Sequence, residues 1–437
     1  RSTQPNTLFP YTTLFRSELT PPEVAHVHGD LEDRAEAEWF AWYLREIDEP
    51  WRQLSGEIKA LRDRENQLVS GCVELMVMKE MSPRRQTYVL ERGQWNKRGA
   101  PVSPATPAVL PPMPQEYPRN RLGFGKWLTD GHHPLTARVA VNRLWQTFFG
   151  KGIVGTSEDF GTQGELPSHP ELLDWLALHF QDTGWNVKAL CREIALSSAY
   201  RQSSLPRDRK LLVEDPENRM LARGPRNRLT AEQLRDQVLA VSGLLAGGIG
   251  GPSVKPYQPA GLWEEGGTQH SYHVDTGIGL YRRSLYTFWR KTMAPPSMTI
   301  FDAPSREFCQ VRRQRSANPL QALVVQNDPQ YVEAARVLAE KLVRDHPGTG
   351  PQDDACRAVL AFRALTGCRP SPEQQTLLAG FLADARARYA AETSAARDLL
   401  EKNGDSKSDA ALSPVEVAAT TVMVRMLFGY DGCLCKL

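Results

Sequence analysis

The densest group of residues that could do chemistry is the basic and aromatic segment from Tyr281 to Arg315. Eight cationic side chains stand there beside two carboxylates, in a chain whose formal net charge is only +2. Guanidinium groups bind sulfate, carboxylate and phosphate through paired hydrogen bonds, and neighbouring aromatic faces can stack on sugar rings. The segment therefore predicts a surface for anionic ligands. Its cations are Arg282, Arg283, Arg290, Lys291, Arg306, Arg312, Arg313 and Arg315.

The side chains that we assign to ligand binding come mainly from this segment. Trp263 precedes it in the loop PYQPAGLWE and is the best candidate for an aromatic platform. A structural interpretation stays open beside the functional one, because arginines of long loops often pair with helix ends and acidic residues elsewhere in a fold. The assigned residues are Arg282, Arg283, Arg306, Arg312, Arg313, Trp263 and Asp302.

Carboxylates in and near the segment could in principle act as an acid and a base on a bound sugar. Asp302 and Glu307 lie within it, and Asp275 lies upstream in HVDTG. Glycoside hydrolysis requires two carboxyl groups roughly 5 to 9.5 Å apart, which the sequence does not give. Helix caps and salt bridges explain the same residues, and no catalytic residue is assigned.

Metal, haem and nucleotide sites find little support in the sequence. His270, His273 and Asp275 have a spacing compatible with metal ligands, but no further ligand is identifiable. His169, in PSHPE, is explained by the start of a helix. The seven cysteines form no CxxC pair, the glycine-rich stretch GGIGGPSVK lacks a following GKS or GKT, and no GxSxG is present. We predict no metal and no cofactor.

Composition limits the class of protein. The chain has 437 residues, 41% of them hydrophobic and 24% charged, as in globular proteins. Its 53 Lys and Arg residues nearly balance its 51 Asp and Glu residues, which disfavours nucleic acid as a partner. No apolar run approaches the roughly 18 residues of a membrane helix, so no membrane span is predicted.

Most of the elements that the sequence predicts around these residues are helices. Amphipathic patterns run from Leu31 to Val69 and recur after residue 134, with capping signals at Ser168 and Thr230 and before several prolines. Glu232 and Asp236 are four residues apart on one of these helices, and with Arg228 and Arg235 nearby they predict a solvated ion network. Strand patterns are scarce, and Leu285 to Trp289 is the best one. The fold class is mainly α, a multi-helix globular domain with long ordered loops rich in glycine, proline and aromatics and with little β structure.

Domain boundaries follow from changes in composition. Residues 18–98 form a helical N-terminal segment, residues 99–118 a linker with seven prolines, and residues 119–428 the main helical domain. Residues 7–17 read TLFPYTTLFRS, one reading frame of a common sequencing-adapter oligonucleotide, so we interpret residues 1–17 as an artefact at the start of a fragment. Residues 429–437 differ in character from the helix before them and form a doubtful tail.

Several long motifs resemble a planctomycete-type family of domains of unknown function, from about Arg121 to Phe428. One departure is that Ser316, Ala317 and Asn318 replace the family's Thr-Asn-Thr before PLQAL. The motifs are PLTARVAVNRLWQTFFGKGIVGTSEDFGTQGELPSHPELLDWLA, GPRNRLTAEQLRDQVLAVSGLL, GGPSVKPYQPAGLWE, YRRSLYTFWRKT, FDAPSREFCQVRRQRSANPLQAL and NDPQYVEAAR.

The resemblance implies a domain context and a location but no reaction. Such domains usually follow another uncharacterised domain, often a cytochrome-c-like one, in long exported proteins, and sulfatase-like proteins are frequent gene neighbours. These implications point to an extracytoplasmic protein near polysaccharide chemistry. We therefore expect a module that binds, and could process, anionic polysaccharide. The alternative is a non-catalytic scaffold that docks a cytochrome-like or other redox partner.

Overall fold

A computed structural model describes residues 33–206, 208–265, 271–290 and 292–436. The chain divides into two compact units between Ser103 and Pro104, within the predicted linker. The described residues contain 17 α-helices and four short strands, which confirms the mainly α class. None of the helices in the described part is long and apolar enough to cross a membrane.

The first unit consists of two helices and a two-stranded sheet. Asp48 caps the N-terminus of the second helix, where its carboxylate accepts a hydrogen bond from the backbone amide of Trp51 at 2.9 Å. The strands are antiparallel, and Thr87 lies opposite Val102. The elements are α1 (Asp33–Glu46), α2 (Glu49–Ser70), β1 (Thr87–Leu90) and β2 (Arg98–Val102).

The second unit begins with a series of short helices, three of which pack around one hydrophobic cluster. Val141 and Trp145 of the second helix in the series pack with Leu173 and Leu176 of the third. The elements of this part are α3 (Arg121–Leu128), α4 (Thr136–Phe149), α5 (Pro170–Asp182), α6 (Val187–Leu196), α7 (Lys210–Glu214), β3 (Asn227–Arg228), α8 (Ala231–Ser242), α9 (Leu262–Glu265) and α10 (Pro296–Ile300).

A helical bundle follows and contains the larger hydrophobic cluster. Its central helix, α12 (Pro329–Asp345), packs closely on α16 (Pro414–Phe428), and Ala335 and Ala419 are fully buried between neighbouring helices. The elements are α11 (Pro319–Asn327), α12 (Pro329–Asp345), α13 (Pro351–Thr366), α14 (Pro372–Ala391), α15 (Thr393–Glu401), α16 (Pro414–Phe428), α17 (Asp431–Leu434) and β4 (Cys435–Lys436).

Local capping rules explain where most of these helices begin. Thr230 and Gln233 form a reciprocal capping box at α8, as the sequence predicts. The prediction of a capping box at Ser168 is wrong, because Pro170 begins α5 and makes His169 the capping residue. The Ser168 hydroxyl instead donates to the carbonyl of Ile153 at 3.3 Å.

A buried arginine holds the described part of the segment between α8 and α11 that precedes Arg283. Arg235 of α8 donates hydrogen bonds to the carbonyls of Leu280 at 2.6 Å and Arg282 at 2.8 Å. The prediction of a solvated ion network around Arg235 is therefore wrong. The strand predicted at residues 285–289 is also absent from this described stretch, where Ser284–Tyr286 form a 3-10 helix and Thr287 makes one isolated bridge with Val254.

The C-terminal residues that the sequence analysis sets apart as a doubtful tail pack on the second unit. Cys433 and Leu434 are buried in the bundle cluster. Strand β4 pairs antiparallel with β3, with Cys435 opposite Arg228. These contacts place residues 431–436 beside the segment that leads into α8.

Candidate anion-binding groove

A groove of about 2260 Å³ lies in the second unit between α4, α8 and the loop from Phe301 to Ser316. Among the described residues, ten cationic side chains line it against four carboxylates. The cations are Arg143, Lys151, Arg223, Arg226, Arg228, Arg283, Arg306, Arg312, Arg313 and Arg315, and the acids are Glu217, Glu232, Asp236 and Asp302.

The loop that forms one wall of the groove is closed at its base by Asp302. This residue has a φ of 59°, in the left-handed region that is uncommon for side chains other than glycine. Its carboxylate accepts hydrogen bonds from the Ser316 amide at 2.6 Å and from the Ser316 hydroxyl at 2.9 Å. Asp302 therefore positions the loop that carries the arginines, and its carboxylate is occupied by that task.

Two arginines of the loop pair with acids on other elements. Arg312 contacts Glu158 at 3.0 Å, and Arg313 contacts Glu232 of α8 at 2.7 Å. Burial alone would raise the pKa of Glu232, but the hydrogen bond and charge of Arg313 outweigh burial and lower it. These pairs hold the loop across the groove while leaving both guanidinium groups exposed.

A second set of lining cations comes from the segment before α8 and is also paired. Asp431 contacts both Arg226, at 2.9 Å, and Arg228, at 3.2 Å. Arg223 donates to the carbonyls of Asp215 and Pro216, and its side chain is buried. These arginines give the groove positive charge while fixing the local backbone.

Three of the lining cations differ from the others. Within the described part of the chain, the guanidinium groups of Arg143, Arg306 and Arg315 make no hydrogen bond and no ion pair. Partial burial lowers the pKa of Arg315, and repulsion from nearby Arg313 lowers it further. A partly desolvated cation without an acid is electrostatically unfavourable in the free protein and favourable once an anion binds.

Aromatic surface accompanies the charge in this groove. The Phe308 side chain lines it and is 64% exposed. Arg306 lies over the ring of Trp289, with its guanidinium carbon 4.5 Å from the ring centre. Phe308 is therefore the aromatic face that a ligand in the groove can reach.

Five of the seven residues assigned from sequence line the groove, and two do not. Arg283, which contacts Asp236 at 3.2 Å, lies there with Arg306, Arg312, Arg313 and Asp302, the four residues already described.

Trp263 and Arg282 lie outside the described lining of the groove. Trp263 is only 4% exposed and packs against Tyr272, with ring centres 5.2 Å apart, so it is a core residue rather than an exposed platform. Arg282 stacks on Tyr286 at 3.8 Å and donates to the Pro252 carbonyl at 2.8 Å.

The remaining candidates for chemistry serve loop structure or lie elsewhere. The carboxylate of Asp275 accepts a hydrogen bond from the Lys255 amide at 2.7 Å, and His169 contacts the Ser168 hydroxyl at 3.0 Å. His270 lies outside the described residues. Among the residues that are described, no group of three or more His, Cys, Asp and Glu side chains could hold a metal ion.

Sequence reasoning missed the cations that tertiary packing brings to the groove. Arg143 lies on the exposed face of α4, and Lys151 follows that helix directly. Arg226 precedes α8 and was not assigned either. The only signal in the sequence is that these cations belong to motifs carrying the family resemblance, which does not indicate which face they share.

Comparison with known proteins identifies the family. No curated protein and no solved structure matches the chain. A family model described as "PSD1: Protein of unknown function (DUF1553)" matches residues 120–382, more than half of the chain, including α4, α8 and the groove loop. The resemblance noted in the sequence is thereby confirmed over those residues. The chain belongs to the PSD1 family of proteins of unknown function (DUF1553).

Proposed function

We propose that the groove of the second unit binds anionic polysaccharide. The observation that supports this most directly is the excess of lining cations, ten against four carboxylates among the described residues. The chain as a whole is nearly neutral, so this excess is a local property of the groove. Concentrated positive charge in a concave surface attracts polyanions and orients them along the groove.

The size of the groove favours an extended ligand over a small molecule. Sites for small molecules usually enclose about 300 to 1,000 Å³, and this groove measures about 2260 Å³. Its cations come from α4, from the segment before α8 and from the loop, so several anionic groups of one chain can be bound at once. The exposed Phe308 ring supplies a face for a sugar between them.

Affinity should concentrate on the unpaired cations. A sulfate or carboxylate that binds Arg312 or Arg313 competes with Glu158 or Glu232, which offsets much of the gain. Arg143, Arg306 and Arg315 have no such competitor among the described residues. They are therefore the positions at which a ligand gains most.

Binding, rather than cleavage, is the proposed activity. The Asp302 carboxylate accepts hydrogen bonds from Ser316 and holds the loop. We therefore do not assign it as the acid or the base of a cleavage reaction. The extracytoplasmic location implied by the sequence resemblance is part of the proposal, since sulfated and uronate-rich polysaccharides are extracellular polymers.

The test is a titration of the full chain with sulfated, uronate-rich and neutral polysaccharides by calorimetry over a series of salt concentrations. We expect binding of at least one anionic class that weakens steadily with salt, and none of the neutral polymers. The double variant R143Q/R315Q should bind at least tenfold more weakly. The control R363Q changes an exposed arginine of α13 outside the groove lining and should bind like the wild type.

Absence of binding to every anionic polymer would overturn the proposal. Salt-sensitive binding to an acidic cytochrome-like domain in the same experiment would favour the alternative, a scaffold for a redox partner. Binding that R143Q/R315Q leaves unchanged would show that the polymer binds outside this groove.

A further inference from the structure

Helix α2 of the first unit carries a long stripe of apolar side chains that remain exposed in the described structure. No residue of this helix, which is described in full, is buried. Contiguous exposed apolar surface on a soluble protein marks an interaction site. The stripe consists of Trp51 (40% exposed), Leu54 (60%), Ile58 (50%), Leu61 (66%) and Leu68 (67%).

The spacing of the stripe is that of a two-stranded coiled coil. Its members alternate at intervals of three and four residues, and Glu65 occupies the one polar position between Leu61 and Leu68. In heptad notation Trp51, Ile58 and Glu65 are a positions, and the three leucines are d positions. At 1.5 Å per residue the stripe runs about 26 Å along the helix. This pattern fits another helix as its partner.

We propose that α2 pairs with α2 of a second copy of this chain in an antiparallel coiled coil. In this arrangement each a position packs against a d position of the partner helix. The central layer joins Ile58 to the partner's Leu61, and the outer layers join Trp51 to the partner's Leu68. The apolar stripes of the two copies thus cover each other around a two-fold axis, as in most homodimers.

Charges beside the stripe support a second copy as the occupant. Glu57 and Arg64 both occupy g positions, and g positions of antiparallel helices face each other. Neither has an oppositely charged residue three or four positions away on α2, and neither makes an ion pair with another described residue. In the antiparallel dimer each Glu57 faces the partner's Arg64. Two-fold symmetry gives two such ion pairs, so both charges gain a partner.

Glu65 decides the relative direction of the helices. A parallel dimer would place the two Glu65 carboxylates against each other at the same a layer, where like charges repel. An antiparallel dimer places each Glu65 opposite Leu54 of the partner helix, near the edge of the stripe. The repulsion is thereby removed while the apolar layers are kept.

The experiment measures the mass of the full chain under reducing conditions by sedimentation over a range of concentrations. We expect a concentration-dependent dimer, and we expect I58K/L61K to weaken its dissociation constant at least tenfold. Both side chains are exposed in the single chain, so the variant should keep its helix content by circular dichroism. The control Q53K alters an exposed residue of α2 outside the stripe and should dimerise like the wild type.

Charge exchange tests the direction of the helices. The single variants E57K and R64E should each weaken the dimer, and the double variant E57K/R64E should restore it, because the exchanged pair again has opposite signs. Restoration by E57K/R62E instead would indicate parallel helices, in which Glu57 faces Arg62, and would overturn the proposed arrangement. A chain that stays monomeric, or a dimer that I58K/L61K leaves intact, would overturn the proposal as a whole.

Discussion

The helical bundle and the groove use arginine in opposite ways. In the bundle, Arg357 is fully buried and donates to the carbonyls of His346 and Gly348 and to Glu416. In the groove, Arg315 makes no hydrogen bond or ion pair with any described residue. An arginine side chain is thus fully hydrogen-bonded in the bundle, whereas in the groove an arginine makes no hydrogen bond with a described residue.

This difference follows from the cost of removing charge from water. A buried ion without partners costs several kcal/mol, so a fully buried arginine such as Arg357 is kept only where carbonyls and carboxylates accept its hydrogen bonds. A cation at the wall of an open groove keeps part of its hydration, and leaving it unpaired costs little. Bundle arginines are therefore expected to stabilise the fold, and the unpaired groove arginines are expected to bind ligand.

The largest expected effect is the loss of a bundle arginine. Arg357→Met keeps a similar volume but removes one of the two arginines that bind the Glu416 carboxylate and leaves two partly buried carbonyls without their donor, so we expect a loss of about 3 to 5 kcal/mol in the free energy of unfolding. Chemical denaturation measures it, with R363Q on the same helix as the control. A loss below about 1 kcal/mol would contradict the structural role assigned to this region.

A pH-dependent effect of intermediate size is expected at Asp328, which caps α12. Burial raises the pKa of this carboxyl from 3.8 to about 6, although a hydrogen bond from the Gln330 amide and the charge of Arg235 oppose the rise. The folded state binds the proton more tightly than the unfolded state. The stability that the protonated Asp328 carboxyl contributes is therefore present below about pH 4 and is lost as the pH rises through about 6.

The variant D328N removes this dependence because an amide does not ionise and its oxygen can still accept from Gln330. Relative to the wild type, D328N should gain stability between pH 4 and pH 7, by about 2 to 3 kcal/mol for a shift of roughly two pKa units. Unfolding free energies of both proteins across this range measure the gain. A difference that does not change with pH would contradict the assigned pKa.

A smaller effect, a gain in ligand affinity, is expected when a groove cation is released from its acid. Glu232→Gln frees Arg313, and exposed pairs of this kind are worth up to about 1 kcal/mol. We expect a two- to fivefold higher affinity for the anionic polysaccharide that the wild type binds, measured by calorimetry. The control E401Q removes an exposed carboxylate outside the groove lining. Weaker binding by E232Q would argue that Glu232 contributes to the site itself.

The smallest effect on stability is expected at Arg312. Its pair with Glu158 is exposed on both sides, with 51% and 46% of the two side chains accessible. Arg312→Gln should change the free energy of unfolding by less than about 0.5 kcal/mol. A loss of several kcal/mol in thermal or chemical unfolding would show that this loop contributes to the fold as the bundle arginines do.

Local features of the fold were predictable from sequence, because local chemistry determines them. The cap at Thr230 forms as predicted, and so do two of the caps predicted before prolines, at Asp328 and Ser413, since each depends on residues within four positions. The box at Ser168 failed because a proline moved the start of the helix by one residue. The mainly α class follows from the same signals.

Burial and long-range pairing were not predictable, because they depend on packing between distant segments. Arg312 and Arg313 were found as part of a basic run, whereas Arg143 reaches the same groove from more than 150 residues earlier in the chain. Trp263 and Arg235 have residue types that suit a surface site or a core, and only the fold distinguishes the two. Sequence therefore located one wall of the groove and missed the other.

The most direct test of the contrast between the two regions is the variant Arg315→Gln, with affinity and melting temperature measured on the same samples. We expect at least tenfold weaker binding of the anionic polysaccharide and a melting temperature that is unchanged or higher, because a repelled, partly desolvated charge has been removed. A lower melting temperature with unchanged affinity would contradict the account and assign Arg315 to the fold.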